Sequence, residues 1–127
     1  MMKRIIHTTN APAPIGPYSQ AVEINSLLYV SGQIPIDPLT NTVINSSIAD
    51  ETKQVMENII AILDAAGYKA ENVIKTSIFL SNMSHFSEVN EIYGSYFIAD
   101  FPARETVAVA GLPKNVNVEI SVIACKS

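Results

Sequence analysis

The sequence is poor in the residues that mark several classes of protein. Only 16% of its 127 residues are charged, there is a single cysteine, and tryptophan is absent. One cysteine excludes an internal disulfide and permits a reducing compartment. No apolar run approaches the roughly 18 to 20 residues of a membrane span, so we expect no contact with a membrane. The N-terminus lacks the apolar segment of a signal peptide, which predicts a cytoplasmic protein.

Basic residues are also scarce and scattered. Eight Lys and Arg face twelve Asp and Glu, which gives a net charge of −4. A nucleic-acid groove needs a clustered basic surface, so we expect no nucleic-acid partner. His7 and His85 stand apart from each other and from any cysteine pair, and no glycine-rich phosphate loop occurs. The sequence therefore predicts neither a metal site nor a bound cofactor.

Apolar residues, in contrast, are plentiful. They make up 48% of the chain, and its length suits a single domain over residues 1–127 with a substantial core. Because so few charges are available to cover the surface, apolar area should remain exposed on an isolated chain. This composition favours an oligomer.

The hydrophobic pattern predicts an α+β fold. Ser47 can cap a helix that ends at Gly67, and apolar residues recur inside it at helical spacing. A second helix is expected from Ser84, and Asn25-Ser26 suits a hairpin turn. Residues 34–46 read as a turn-rich connection. Strands are predicted at 3–6, 18–24, 27–33, 73–80, 104–110 and 116–124, which would form one mainly antiparallel sheet with two helices on one face.

Two charged residues in the last strands suggest chemistry. Arg104 opens the penultimate strand, and Glu119 lies on the polar side of the final one, whose apolar residues alternate. A guanidinium grips a carboxylate with two parallel hydrogen bonds. An acid on a neighbouring strand could orient or deprotonate a water beside the ligand. The pair predicts hydrolysis of a small anionic metabolite. Because adjacent strand residues point to opposite faces, we expect Glu105 to point away from Arg104.

Five collinear motifs then become recognisable. They are IGPYSQA at 15–21, VSGQIP at 30–35, VNEIY at 89–93, FPAR at 101–104, and LPK at 112–114 with VEI at 118–120. Together they resemble the RidA (YjgF-type) family, and the match runs from about residue 5 to residue 125. The resemblance implies a chorismate-mutase-like α+β fold and a homotrimer with clefts between subunits. It also implies 2-iminobutanoate/2-iminopropanoate deaminase activity, without a cofactor.

In that reaction, enamine/imine intermediates such as 2-aminoacrylate and 2-aminocrotonate are hydrolysed to 2-keto acids and ammonia. Pyridoxal-phosphate-dependent serine/threonine dehydratases release these intermediates. The resemblance implies that Arg104 binds the substrate carboxylate and that Glu119 holds the hydrolytic water. It places Tyr18 with its hydroxyl toward the substrate, and it places Ser31 and Gly32 along the cleft.

Three positions depart from the family pattern. Thr106 stands where many members carry a cysteine, although its backbone can still contact the ligand. Glu105 replaces a common serine, and Gly111 replaces a larger residue. These changes affect the expected substrate preference more than the expected reaction.

Three other functions remain open. A trimeric binder or sensor of 2-keto acids would use the same Arg104 but would gain nothing from Glu119. An endoribonuclease or translation inhibitor would need a basic or aromatic surface, and the acidic composition argues against it. A chaperone-like role would require only exposed apolar surface.

Overall fold

Eight strands and two helices form the fold in the computed structural model, which describes residues 2–127. In chain order they are β1 (Arg4–Ile6), β2 (Ala21–Ile24), β3 (Leu27–Gln33), β4 (Ile36–Asp37), β5 (Thr42–Val43), α1 (Ile48–Ala66), β6 (Val73–Leu80), α2 (Phe86–Gly94), β7 (Ala103–Ala108) and β8 (Val118–Cys125). The main sheet has the order β1-β2-β3-β8-β6-β7, and β4 pairs with β5 separately. All pairs are antiparallel except β6 with β7. The predicted α+β architecture is confirmed.

Helix α1 follows from local sequence signals. The Ser47 hydroxyl accepts a hydrogen bond from the Asp50 amide at 3.0 Å. Gly67 ends the helix at φ 83°, a left-handed conformation that glycine adopts without steric cost. The face between these caps packs against the sheet and supplies the largest share of the core, with Val55, Met56, Ile59, Ile62 and Leu63 at most 1% exposed. The predicted bounds of this helix are confirmed.

The start of the second helix differs from the prediction. The Asn82 side chain, rather than Ser84, acts as the cap and accepts the Ser84 amide at 2.8 Å. It caps a single 3₁₀ turn over 83–85, after which α2 runs only to Gly94. Asparagine, like serine, offers a short side-chain acceptor, so Asn82 can cap the helical segment two residues earlier than predicted. Tyr96 and Phe97 therefore lie beyond the helix.

The hairpin turn appears where the sequence places it. Asn25 and Ser26 have φ of 49° and 66°, as a two-residue turn that matches strand twist requires. Strand β2 begins only at Ala21, so Tyr18 lies in the preceding loop rather than in a strand. Within residues 34–46, the short β4–β5 pair occupies part of the predicted connection.

The prediction that the last two strands are neighbours is wrong. Strand β6 lies between β7 and β8, pairing parallel with β7 and antiparallel with β8. The reason is the crossover through α2, because a strand-helix-strand unit returns the chain parallel to the strand it left. Strand β7 consequently takes the sheet edge. Among residues 2–127, no helix is both long and apolar enough to cross a membrane.

Candidate functional site

Arg104 extends from β7 toward helix α2, on the helix-covered side of the sheet. Its Nη1 donates to the Asn90 side-chain oxygen at 2.7 Å. The guanidinium carbon also lies 5.7 Å from the ring centre of Phe86 and 5.4 Å from that of Tyr93. Cation–π contacts of this kind hold a guanidinium without neutralising its charge. We call these four residues and Thr106 the cationic half-site.

The charge of Arg104 is free to bind an anion. Within residues 2–127, no carboxylate lies within ion-pair distance of it. Beside it an open pocket of about 420 Å³ is lined by Asn90, Tyr93, Gly94, Phe101, Pro102 and Arg104 itself. Because a guanidinium has five donors and one is used on Asn90, the others can grip a carboxylate. The pocket thus suits a small anion.

Tyr93 anchors the cationic half-site to the sheet. It is buried, and its hydroxyl donates to the Thr76 hydroxyl at 2.9 Å, which joins α2 to β6. Burial raises the pKa of Tyr93, so the ring stays neutral beneath the guanidinium near neutral pH.

Glu105 faces the other side of the sheet, as predicted. Its carboxylate accepts a hydrogen bond from the Ser77 hydroxyl and forms an ion pair with Lys75 at 2.9 Å. The hydrogen bonds from Ser77 and Lys75 lower the pKa of this carboxyl. Arg104 is therefore not paired with its sequence neighbour.

Thr106 carries an unusual hydroxyl. Its Oγ1 is buried, and no hydrogen-bond partner for it exists in the described part of the chain. A buried hydroxyl without a partner costs free energy, whereas an apolar group of the same shape does not. The Thr106→Val substitution should therefore raise the free energy of unfolding by about 1 kcal/mol, measured by urea denaturation.

Thr52 provides a matched control for this prediction. It is fully buried like the Thr106 hydroxyl, but its Oγ1 donates to the Ile48 carbonyl at 2.8 Å. Thr52→Val removes a made hydrogen bond and should be neutral or destabilising. If Thr106→Val is as costly as Thr52→Val, the Thr106 hydroxyl is satisfied in the assembled protein and our interpretation of it is wrong.

Glu119 lies on the opposite face of the sheet from Arg104. It is half-buried, and this burial raises the pKa of its carboxyl. No residue in 2–127 forms a hydrogen bond or an ion pair with its carboxylate. The side chain instead lies against Gly32, where an added Cβ would stand only 2.6 Å from Oε2. We call Glu119, Gly32, Ser31 and Tyr18 the acidic half-site.

Gly32 occupies a β-bulge between β3 and β8. The register shifts there, because Val30 pairs with Val122 while Gln33 pairs with Ile120, leaving one extra residue on β3. Bulges of this kind re-aim side chains and are frequent beside active sites. Both the bulge and the close approach of Glu119 explain a glycine at this position.

Ser31 and Tyr18, the other members of this half-site, each form a hydrogen bond to the segment that precedes β2. The Ser31 hydroxyl donates to the Ser19 carbonyl at 2.6 Å, so it holds the preceding loop against β3. Tyr18 is 48% exposed, and its hydroxyl accepts the Ile15 amide at 3.3 Å. Its ring lines a small cavity together with Gly32. Tyr18 thus shares a cavity with Gly32, the residue that the Glu119 side chain contacts.

The two half-sites do not meet within one chain. Strand β6 separates β7 from β8, so the backbones of Arg104 and Glu119 lie two strand spacings apart, about 10 Å. Arg104 is level with Thr76 and Glu119 with Phe79, a further offset of three residues. Their side chains also point to opposite faces. The arrangement expected from neighbouring strands is therefore absent from the single chain.

Sequence reasoning missed the residues that hold Arg104. Phe86, Asn90 and Tyr93 recur at i, i+4 and i+7 on α2, which places them on one face of the helix. The signal was present, because Asn90 is a polar residue inside an otherwise apolar stripe. Asn90 is exposed, and its side-chain oxygen accepts the hydrogen bond from Arg104. No group of three or more His, Cys, Asp or Glu side chains suited to a metal occurs in the described chain.

Comparison with known proteins extends over the whole chain. A RutC family protein of Pyrococcus horikoshii is 51% identical over 125 residues, covering 98% of this chain and 99% of that protein. The 2-iminobutanoate/2-iminopropanoate deaminase of Homo sapiens is 44% identical over 124 residues, covering 98% of this chain and 90% of that protein.

Solved structures agree with these relatives. A Yersinia pestis protein of the conserved Rid family, YyfA, superposes with a TM-score of 0.96 at 49% identity, covering 98% of this chain and all of that one. TdcF of E. coli with bound serine superposes with a TM-score of 0.94 at 39% identity, covering 98% of this chain and 99% of that one. The family model described as endoribonuclease L-PSP matches residues 8–126. The chain belongs to this family, the YjgF/RidA family.

Proposed function

We propose that this protein hydrolyses small 2-imino acids, such as those formed by dehydration of threonine and serine, to 2-keto acids and ammonia. The observation that carries the proposal is Arg104, a fixed guanidinium beside an open pocket with no carboxylate of the described chain paired to it. Glu119 adds a half-buried carboxylate that has no hydrogen-bond partner among residues 2–127. The human relative named as a 2-iminobutanoate/2-iminopropanoate deaminase supports this reaction.

We further propose that the working unit is a homotrimer whose clefts join the two half-sites. A cleft between subunits can bring Arg104 of one copy to Glu119 of the next, which a single chain does not do. Exposed apolar residues are available to form such contacts. Val107 on the edge strand β7 is 43% exposed, and Tyr29 on the uncovered sheet face is 46% exposed.

The proposed mechanism begins with binding of the substrate carboxylate by Arg104. Glu119 accepts a proton from a water as that water attacks the C2 carbon of the iminium, which gives a tetrahedral carbinolamine. Glu119 then returns the proton to the nitrogen and, as the C–N bond breaks and the keto group forms, its carboxylate takes up the proton of the carbinol hydroxyl. Ammonia leaves and accepts that proton from Glu119, which gives ammonium and restores the carboxylate. The raised pKa of Glu119 suits both steps, because a carboxyl closer to neutrality accepts and donates protons more readily. Water is the sole co-reactant.

Tyr18 and Thr106 are proposed to border the substrate. Tyr18 is exposed beside Gly32 and can present its hydroxyl to the nitrogen. Thr106 lies two residues after Arg104 on the same side of β7, so its backbone can contact the carboxylate.

The direct test adds the purified protein to a threonine or serine dehydratase reaction and follows keto-acid appearance. Acceleration over the dehydratase alone is expected with at least one of the two amino acids. A protein that leaves keto-acid appearance unchanged with both is not an imine deaminase.

Gly32→Ala should separate activity from stability. The new methyl would stand within 3.2 Å of three Glu119 side-chain atoms, two of which belong to the carboxyl group at the end of a flexible chain. The carboxylate must therefore move, while the backbone need not. We expect keto-acid formation to fall by about 10²-fold, with the midpoint of thermal unfolding little changed. Gly111→Ala is the matched control for the added methyl group, because open space surrounds that position, and it should lower keto-acid formation far less than Gly32→Ala does.

A second candidate function is a binder of small amino or keto acids without turnover. It is favoured by the solved structure of TdcF with bound serine, a relative at 39% identity. The two functions differ at Glu119. A binder should keep its ligand affinity in the Glu119→Gln variant and show no catalysis in the wild type, as measured by calorimetry with 2-oxobutanoate and by the dehydratase assay.

A further inference from the structure

Glu51 is a buried carboxylate that no part of the proposed mechanism uses. It lies in the first turn of α1, is 1% exposed, and has no Lys, Arg or His within ion-pair distance among residues 2–127. Its two oxygens accept hydrogen bonds from Asn117, one from the backbone amide at 2.9 Å and one from the side-chain amide at 2.6 Å. A buried carboxylate is costly unless specific hydrogen bonds offset the lost hydration. Both oxygens are committed to one residue.

Asn117 is also held from its other side. The Ser81 amide donates to the Asn117 carbonyl at 3.0 Å, and the Ser81 hydroxyl donates to the Asn117 side-chain oxygen at 2.6 Å. Ser81 directly follows β6, and Asn117 directly precedes β8. We call Glu51, Ser81 and Asn117 the Asn117 clamp. It ties the start of α1 to the end of β6 and the start of β8.

Asn117, the central residue of the clamp, lies two residues before Glu119 in the sequence. The Glu119 carboxylate has no hydrogen bond to any residue in 2–127, so its own side chain does not anchor it. Its location depends on the backbone of β8 and on the contact with Gly32. The terminal residues of a strand open most easily, because only one of their two neighbours along the chain is held by strand pairing. The clamp acts at this end of β8.

We infer that Glu51 is a positioning residue for Glu119, which it holds in place through Asn117 and the first residues of β8. This inference rests on the proposed function for its catalytic consequence. Placement errors of about 1 Å far from the reacting atoms are enough to lower a rate by about 10²-fold. Arg104 lies two strands away, beyond β6, so binding of the substrate carboxylate does not depend on the clamp.

The test compares Glu51→Ala with Glu51→Gln. Both variants remove the carboxylate, but glutamine keeps the side-chain volume and the capacity to hydrogen-bond, whereas alanine loses both. Glutamine can accept the Asn117 amide and, after a flip of the Asn117 side chain, donate to its oxygen. We expect Glu51→Ala to lower kcat by about 10-fold or more while KM stays within about 2-fold, and Glu51→Gln to restore kcat to within about 3-fold of wild type.

Amide hydrogen exchange measures the clamp without any activity. The Glu119 and Ile120 amides should exchange faster in Glu51→Ala than in Glu51→Gln, with the end of β8 unchanged. Asn117→Ala replaces Glu51→Ala if the latter folds poorly. It keeps the backbone bond to Glu51 and loses the side-chain bonds, so its Glu119 and Ile120 amides should exchange faster than those of Glu51→Gln. A wild type without deaminase activity would refute the proposed function, and the exchange comparison would still decide on the clamp.

Tyr68→Phe controls for general loss of stability. Tyr68 is buried just beyond the far end of α1, and its hydroxyl donates to Glu23 at 2.7 Å, away from both half-sites. It should reduce stability without changing kcat. The inference is overturned if Tyr68→Phe lowers kcat as much as Glu51→Ala does. It is also overturned if Glu51→Ala and Glu51→Gln have equal kcat, or if exchange at Glu119 is the same in both.

Discussion

Arg104→Ala is expected to lower kcat/KM for imino-acid hydrolysis by about 10²- to 10³-fold, equivalent to roughly 3 to 4 kcal/mol. The reason is that Arg104 is a held but unneutralised cation beside the pocket. Its loss removes the charge-assisted bonds to the substrate carboxylate and the alignment of C2 with the water. Initial rates of keto-acid appearance over a range of imine concentrations measure the effect.

Two variants control for this result. Arg104→Lys keeps the charge but loses the planar fork and the stacking on Phe86 and Tyr93, so it should recover only part of the rate. Arg4→Ala removes another arginine, one that pairs with Glu23 and donates to the Ala66 carbonyl at 3.0 Å. It should reduce stability and leave the rate unchanged. A wild-type rate in Arg104→Ala would contradict the assigned role of this residue.

Glu119→Gln is expected to lower kcat by about 10²- to 10⁴-fold and, at the same time, to stabilise the fold at neutral pH. Glutamine keeps the shape of the side chain but cannot take the proton from water. Burial raises the pKa of Glu119 above its ordinary value of 4.5, so the folded state retains a proton that the unfolded chain has released. Ionisation of Glu119 therefore destabilises the folded wild type as the pH rises from the ordinary carboxyl pKa to the raised one. The Glu119→Gln variant has no such ionisation and keeps its stability. Urea unfolding at pH 4 and pH 7 measures the difference.

Glu23 gives the opposite sign and serves as the control. Hydrogen bonds from Arg4 and from Tyr68 lower the pKa of Glu23. Its contribution to stability is present above the ordinary carboxyl pKa and is lost as the pH falls through the lowered one. Glu23→Gln should thus destabilise the protein at pH 7 and matter less in acid. If Glu119→Gln is destabilising at pH 7 like Glu23→Gln, the Glu119 carboxylate has a favourable partner in the assembled protein.

The two inactive variants also test the shared cleft when they are combined. If a cleft takes Arg104 from one subunit and Glu119 from the next, random trimers of Arg104→Ala and Glu119→Gln chains contain about one quarter intact clefts. Refolding an equimolar mixture should then restore about that fraction of wild-type activity. If the mixture is as inactive as the separate variants, either both residues belong to a site within one subunit or they do not act in a common site.

Local signals in the sequence determined much of the fold. Ser47 and Gly67 bound α1 because capping depends on a few adjacent residues, and Asn25-Ser26 forms the hairpin turn for the same reason. The alternation in β8 correctly assigned Glu119 to the face away from the helices, since strand periodicity alone decides it. Arg104 and Glu105 were separated onto opposite faces by the same rule.

Only the tertiary structure decided how these pieces come together. The crossover through α2 inserts β6 between β7 and β8, which separates Arg104 from Glu119 within one chain. Asn90 reaches Arg104, and Glu51 reaches Asn117 across 66 positions of sequence. Such contacts depend on which strands pair and which helix covers them, and these choices are settled by packing of the whole core rather than by neighbouring residues. The sequence by itself therefore identified Arg104 and Glu119 as candidate functional residues and assigned Glu119 to the uncovered face of the sheet, while the residues that hold Arg104 and the separation of the two half-sites were decided by the sheet order and the packing of α2.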